Sequence, residues 1–251
     1  MPEEIRYIHS EQIHTLASPG SIVPQLINIF HPQSVIDVGC GIGTFLHVFL
    51  EHGIKDVTGI DGKWVDRKKL MIPTEHFMEK NLEEDFRMNR KYELVVCLEV
   101  AEHLSEEKAN AFIKNLTQLG DKIVFSAATV NQGGQNHINE QHTEYWIQKF
   151  SEQEFLFYDI FRNQFWDNKE IDWWYKQNMF LVAHKSVDVK QYIPSSNEFK
   201  IYEHIHPELL AYYAERNQHL QRKINNLLEG KSSGKLYVEM MKKKLLNIFR
   251  R

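Results

Sequence analysis

Val35-Ile36-Asp37-Val38-Gly39-Cys40-Gly41-Ile42-Gly43-Thr44-Phe45 sets an apolar run, an acid, three alternate glycines and an amphipathic start in direct succession. That order predicts a buried strand, a tight loop and the first turn of a helix. Glycine carries no Cβ and tolerates positive φ, so the N–H groups of such a loop can meet a ligand directly. The glycines stand at 39, 41 and 43. A dinucleotide loop of the form G-x-G-x-x-G would need one at position 44, which is Thr44. An acid ahead of the first glycine, Asp37, repels a pyrophosphate and suits a cationic amino group.

Residues 57–62 read as a second strand ending in Asp61, eighteen residues after Gly43. A carboxylate at that strand tip can accept both hydroxyls of a ribose. One acid for an amino acid end and one for a ribose together fit S-adenosylmethionine. Residues 77–80 are a short third strand. The continuous apolar run over 92–98 predicts a central parallel strand, and 122–126 a fifth. Helices are expected over 44–52, from the cap Ser105 to about Leu119, and over 144–150. Ser18-Pro19-Gly20-Ser21 reads as a turn with Ser21 capping a helix that His31-Pro32 ends. Residues 155–161 and 179–183 are candidates for a closing antiparallel pair. Alternating strands and helices predict a doubly wound α/β sheet.

Composition bounds the rest. A hydrophobic fraction of 42% with 25% charge supports a full core, and a net charge of −4 argues against a nucleic-acid-binding surface over the whole chain. Cys40 and Cys97 sit in apolar contexts with no metal or redox spacing, as expected of reduced core thiols in a cytoplasmic protein. The charged start has no signal-peptide pattern, and no apolar run approaches the ~20 residues of a membrane span. Beyond about Val187 the character changes. Residues 194–197 signal a linker, 207–228 a helix with an apolar seam that could support an oligomer, and 230–234 a flexible break. Residues 236–251 form a basic amphipathic segment, read chiefly as a solvated face. The expected organisation is an N-terminal helical segment over 1–33, a catalytic domain over 34–186 and a helical extension over 187–251.

With these motifs, the stretch 34–184 resembles the class I S-adenosylmethionine-dependent methyltransferases. The resemblance implies a Rossmann-like, seven-stranded, mostly parallel sheet with an antiparallel last hairpin. It also implies that Asn81 and Leu82 lie near the adenine. The expected cofactor set is Asp37, Gly39, Cys40, Gly41, Gly43, Asp61, Gly62, Asn81, Leu82, Leu98 and Glu99. Trp64 is a candidate to cover the adenine face, or a half-buried surface aromatic.

The acceptor end is expected past the central strand. Glu99-x-x-Glu102-His103 resembles the metal-binding stretch of some O-methyltransferases, including small-RNA 2′-O-methyltransferases and those of the ubiquinone pathway. There Glu99, Glu102 and His103, with His137 or His142 as a further ligand, would hold Mg²⁺ or Mn²⁺ and lower the pKa of acceptor hydroxyls. In the competing reading His103 or His137 is a general base, with Glu99 beside it. The loop over 133–142 is dense in hydrogen-bonding groups; Asn136, His137, Glu140 and His142, with Trp174, are the expected acceptor-binding residues. This loop, Tyr145-Trp146 and Trp173-Trp174-Tyr175-Lys176-Gln177-Asn178 resemble a bacterial methyltransferase subgroup associated with surface-polysaccharide and specialised-metabolite pathways. That resemblance implies O-methylation of a small polar, carbohydrate-containing acceptor. N-methylation, RNA 2′-O-methylation and a catalytically silent binding subunit are the alternatives.

Overall fold

The computed structural model describes residues 15–192 and 201–229. The readings made for residues 1–14, for the 194–197 linker, and for the break and basic segment beyond 229 lie outside them. The chain divides into two compact units, Met1–His206 and Pro207–Arg251.

The first unit is built on a seven-stranded sheet: β1 (Ser34–Val38), β2 (Asp56–Asp61), β3 (Phe77–Glu79), β4 (Leu94–Leu98), β5 (Lys122–Ser126), β6 (Phe155–Tyr158) and β7 (Phe180–His184). Their order is β3-β2-β1-β4-β5-β7-β6. The first five strands run parallel; β7 inserts antiparallel between β5 and β6. This is the predicted Rossmann-like architecture with a reversed final hairpin.

Period-2 alternation explains the two cores. Along β4, Leu94, Val96 and Leu98 point to one face of the sheet and Val95 and Cys97 to the other. The first face is covered by α1 (Ala17–Phe30) and α2 (Thr44–Glu51), through Ile22, Leu26, Phe45 and Phe49. The second is covered by α3 (Ala109–Leu119) and α4 (Thr143–Ser151), through Phe112, Leu116, Trp146 and Phe150. On this side Phe125 meets Phe150 and Trp146 edge-on at 5.0 and 5.8 Å. Each such fully buried ring contributes about 1.5–3 kcal/mol from area alone.

Two local expectations are corrected. The Ser18–Ser21 stretch is not a turn: α1 starts at Ala17, so Ser21 lies inside it. Pro19 is tolerated because the N–H groups of a first helical turn have no intrahelical acceptor to lose. Ser105 does not cap through its hydroxyl; its backbone N–H donates instead to Glu83 Oε1 at 2.8 Å. Two short helices, α5 (Arg162–Phe165) and α6 (Trp173–Asn178), lead into β7. The second unit contributes α7 (Pro207–Leu228).

Candidate active site

The sheet order reverses direction between β1 and β4, and open α/β sheets bind ligands beyond the carboxyl ends of strands at that point. β1 delivers Asp37 there, β2 Asp61 and β4 Glu99.

The glycine loop is built as the sequence predicts. Gly39 N–H donates to Ile60 O at 2.8 Å, which ties the loop to β2. Gly39 has φ +80°, and a Cβ there would lie 2.3 Å from Val100 Cγ2, so both backbone and space require glycine. Gly43, with φ +85°, is the N-cap of α2. Cys40 turns its thiol into the core against Gly59, so only its backbone faces the loop. Burial pushes that thiol, and Cys97 in the centre of β4, above the ordinary range.

Asp61 is buried and accepts the N–H groups of Gly41 at 2.7 Å and Gly62 at 2.6 Å. Desolvation raises its pKa, against those hydrogen bonds and one from the Trp64 indole. The Trp64 ring lies directly over Gly62. Asp37 is also buried, and desolvation with the Asp61 charge raises its pKa to about 8. Two buried acids with no basic side chain among their perturbing groups make a site short of positive charge. A ligand that brings an ammonium group and ribose hydroxyls supplies what they lack. Asn81 is exposed and occupied locally: Glu83 N–H donates to its carbonyl and its amide donates to Glu84. Leu82 and Leu98 are buried.

Past β4 the chain turns sharply. Glu99 has φ +54°, a costly conformation for a non-glycine residue, and its N–H is held by Ser126 O and Oγ, both at 3.0 Å. Its carboxylate receives Gln132 Nε2 at 2.8 Å and Asn178 Nδ2 at 3.2 Å. Desolvation lifts its pKa to about 7, against the hydrogen bonds of Ser126, Gln132 and Asn178. Asn178 also donates to Gln132, and Gln177 joins them while accepting His206 N–H at 2.7 Å. Gln132, Ser126 and His206 were not legible as site residues. Gln177 and Asn178 were singled out only as part of the Trp173–Asn178 motif.

The structure brings Glu102, His103 and His137 together, each offering one ligand atom, all within 4.8 Å of one another. Glu102 is fully buried, and neither carboxylate oxygen has a donor in hydrogen-bonding geometry. Desolvation and the Glu99 charge push its pKa well up. The 133–142 loop is pinned over it, because Ile138 and Asn139 N–H both donate to Glu102 O, at 2.9 and 3.0 Å. His103 and His137 meet edge-on at 4.9 Å. Desolvation and His137 hold the His103 imidazole down at about 4, so it is neutral at physiological pH. His137 Nδ1 lies 2.8 Å from Glu140 Oε1, which also accepts Gly133 N–H. The carboxylate therefore fixes the His137 tautomer and leaves Nε2 as the basic nitrogen.

Of the remaining expected residues, only Asn136 has a contact with this cluster. Asn136 is exposed, with its carbonyl 3.4 Å from His103 Nδ1. His142 starts α4, and its ring pairs with Glu203 at 2.8 Å. Glu203 also accepts the Thr129 hydroxyl, so an acid distant in sequence joins the rim. Trp174 is half-buried between Trp173 and Tyr175, while Tyr175 packs edge-on against Phe45 at 5.7 Å.

This sheet order with a glycine loop between two buried acids defines a class I methyltransferase fold. Residues 9–184 match the family described as methyltransferase domain, and the chain belongs to that family. It is a methyltransferase whose methyl donor is S-adenosylmethionine. Comparison with curated proteins found no match. Among solved structures, the chain is similar to magnesium protoporphyrin IX methyltransferase from Synechocystis with bound S-adenosylmethionine (19% identity, 66% of this chain and 77% of that one, TM-score 0.49). It is similar to the methyltransferase domain of bacterial CtHen1 (18%, 66% and 96%, TM-score 0.48). An O-methyltransferase family protein from Burkholderia thailandensis is a third (16%, 67% and 55%, TM-score 0.47). Among the described residues, no helix is long and apolar enough to cross a membrane.

Proposed function

We propose that this methyltransferase acts in the cytoplasm on an oxygen of a small polar acceptor, of sugar or sugar-phosphate type, as in surface-polysaccharide or related biosynthesis. The observation that carries the reading is the His137–Glu140 pair beside the buried Glu102 side chain. Together they can take a proton from a hydroxyl and hold the oxygen in place.

In this reading Asp37 binds the amino end of the donor and Asp61 the ribose, while the glycine loop, its N–H groups at 39, 40, 41 and 43 already held by Ile60, Asp61 and Cys40, lets the donor lie close against the backbone. Bound S-adenosylmethionine supplies an electrophilic methyl group for in-line displacement by the acceptor. The chain's own residues align the two reactants and manage one proton. Glu140 orients His137 through Nδ1, and Nε2 is available to accept that proton. Gln132 and Asn178 hold the Glu99 carboxylate, which keeps the turn past β4 in its strained shape. Asn136 beside His103, the His142–Glu203 pair and Trp174 are the groups this reading assigns to acceptor binding.

The donor set of Glu102, His103 and His137 fits a divalent cation. One carboxylate and two imidazoles suit Mn²⁺ better than Mg²⁺, and Glu140 then becomes the outer carboxylate that orients a ligating histidine. Such an ion lowers the pKa of an acceptor hydroxyl. Glu99 stands outside this cluster, its carboxylate engaged by amide donors.

The test is turnover of labelled S-adenosylmethionine against nucleotide sugars and phosphorylated sugars, with and without EDTA. Transfer that EDTA abolishes and Mn²⁺ restores supports the cation. Transfer that survives EDTA leaves His137–Glu140 as the base without a metal. No transfer to any member of the panel removes the sugar reading and favours an amine acceptor or a silent binding subunit.

A further inference from the structure

We propose that α7 pairs in parallel with α7 of a second copy of the chain as a two-stranded coiled coil. Besides Tyr212 (51%), which stands off the seam, three exposed apolar side chains lie along this helix: Leu210 (60%), Leu220 (47%) and Ile224 (45%). With half-buried Tyr213 and Leu227 they fall at 210, 213, 220, 224 and 227, and position 217 completes an alternating three–four spacing. That is the heptad repeat, with 210, 217 and 224 as a positions and 213, 220 and 227 as d positions. Most helical stability in proteins comes from packing an apolar face, so a sustained exposed seam of this kind calls for a partner.

The residues at those positions select the partner. Ile224 at a with Leu220 and Leu227 at d favours two strands over three or four. Asn217 occupies an a position, where a single buried asparagine fixes register by pairing with its own copy across the seam. Charge selects the direction. The g positions carry Arg216 and Lys223, both exposed. An antiparallel pair sets g against g, basic against basic, whereas a parallel pair sets Arg216 against the neutral Gln221 at e. Only an identical helix running the same way satisfies all three features.

The experiment uses the full chain. Sedimentation equilibrium is expected to give twice the chain mass, and Leu220→Asp with Ile224→Asp to give a monomer. Circular dichroism and the thermal midpoint of the first unit check that the double variant folds. Ile224→Cys is expected to form an intermolecular disulfide under mild oxidation, because a parallel pair sets residue 224 against itself. Cys40 and Cys97 are buried and serve as the internal control. A monomer at all concentrations, a trimer or tetramer, or a dimer that survives the double substitution overturns the proposal. So does a dimer in which Ile224→Cys fails to cross-link, since an antiparallel pair places residue 224 at opposite ends.

Discussion

Binding of the donor should release close to one proton at neutral pH, and the group responsible is Asp37. Burial and the neighbouring Asp61 charge raise its pKa to about 8 in the ligand-free protein. At pH 7 only about one Asp37 in ten is then ionised, and at pH 6 about one in a hundred. An ammonium group bound beside it needs the carboxylate. Ionising Asp37 therefore costs the complex about 1.4 kcal/mol at pH 7 and about 2.7 kcal/mol at pH 6. Affinity for S-adenosylhomocysteine, which carries the same amino end, should fall roughly tenfold from pH 7 to pH 6. It should level off above pH 8, where Asp37 is already ionised before the ligand binds. Isothermal titration calorimetry in phosphate and in Tris measures both affinity and proton release. Asp37→Asn should abolish the slope. An affinity unchanged between pH 6 and pH 8, or an unaltered slope in Asp37→Asn, would refute the placement of the amino group at Asp37.

Three further outcomes follow from the same geometry. Gly39→Ala should lower the thermal midpoint by an amount equivalent to about 1–3 kcal/mol, since it adds strain at φ +80° and a 2.3 Å contact with Val100; Val100→Ala should restore only part of this, as differential scanning fluorimetry can show. Asp61→Asn should weaken S-adenosylhomocysteine binding by about tenfold or more, because one of the Gly41 and Gly62 N–H groups then faces an amide N–H₂ instead of an oxygen; affinity matching that of the unmodified chain in a binding titration would count against the role of Asp61. The ligand-free protein should lose stability as pH rises towards 8. The folded pKa of Asp37 is raised, so its contribution is fully present below the ordinary value of 3.8 and is lost as pH climbs through about 8. Thermal melts from pH 5 to pH 8, with and without S-adenosylhomocysteine, test this; the ligand should flatten the decline.

The fold was legible because its signals are local. An apolar pentad such as Leu94–Leu98 has few options other than a central strand, and the glycines at 39, 41 and 43 announce the loop whatever surrounds them. The start of α1 was misread because proline and glycine in a first helical turn look the same in sequence as a true turn. Their tolerance depends on N–H groups whose partners are not encoded locally.

By itself, then, the sequence determined the strand order's raw material, the glycine loop and the two acids that frame it. These follow from period-2 burial and from glycine's conformational freedom, which act over a few residues. Only the tertiary structure decided which groups meet beyond β4. It drew His137 to Glu102 and His103 across more than thirty positions, withdrew Glu99 into an amide cage of Gln132 and Asn178, and brought Glu203 onto His142. The reason is physical. Glu102 O anchors the 133–142 loop through Ile138 and Asn139 N–H, a contact made only once β4 and β5 lie side by side.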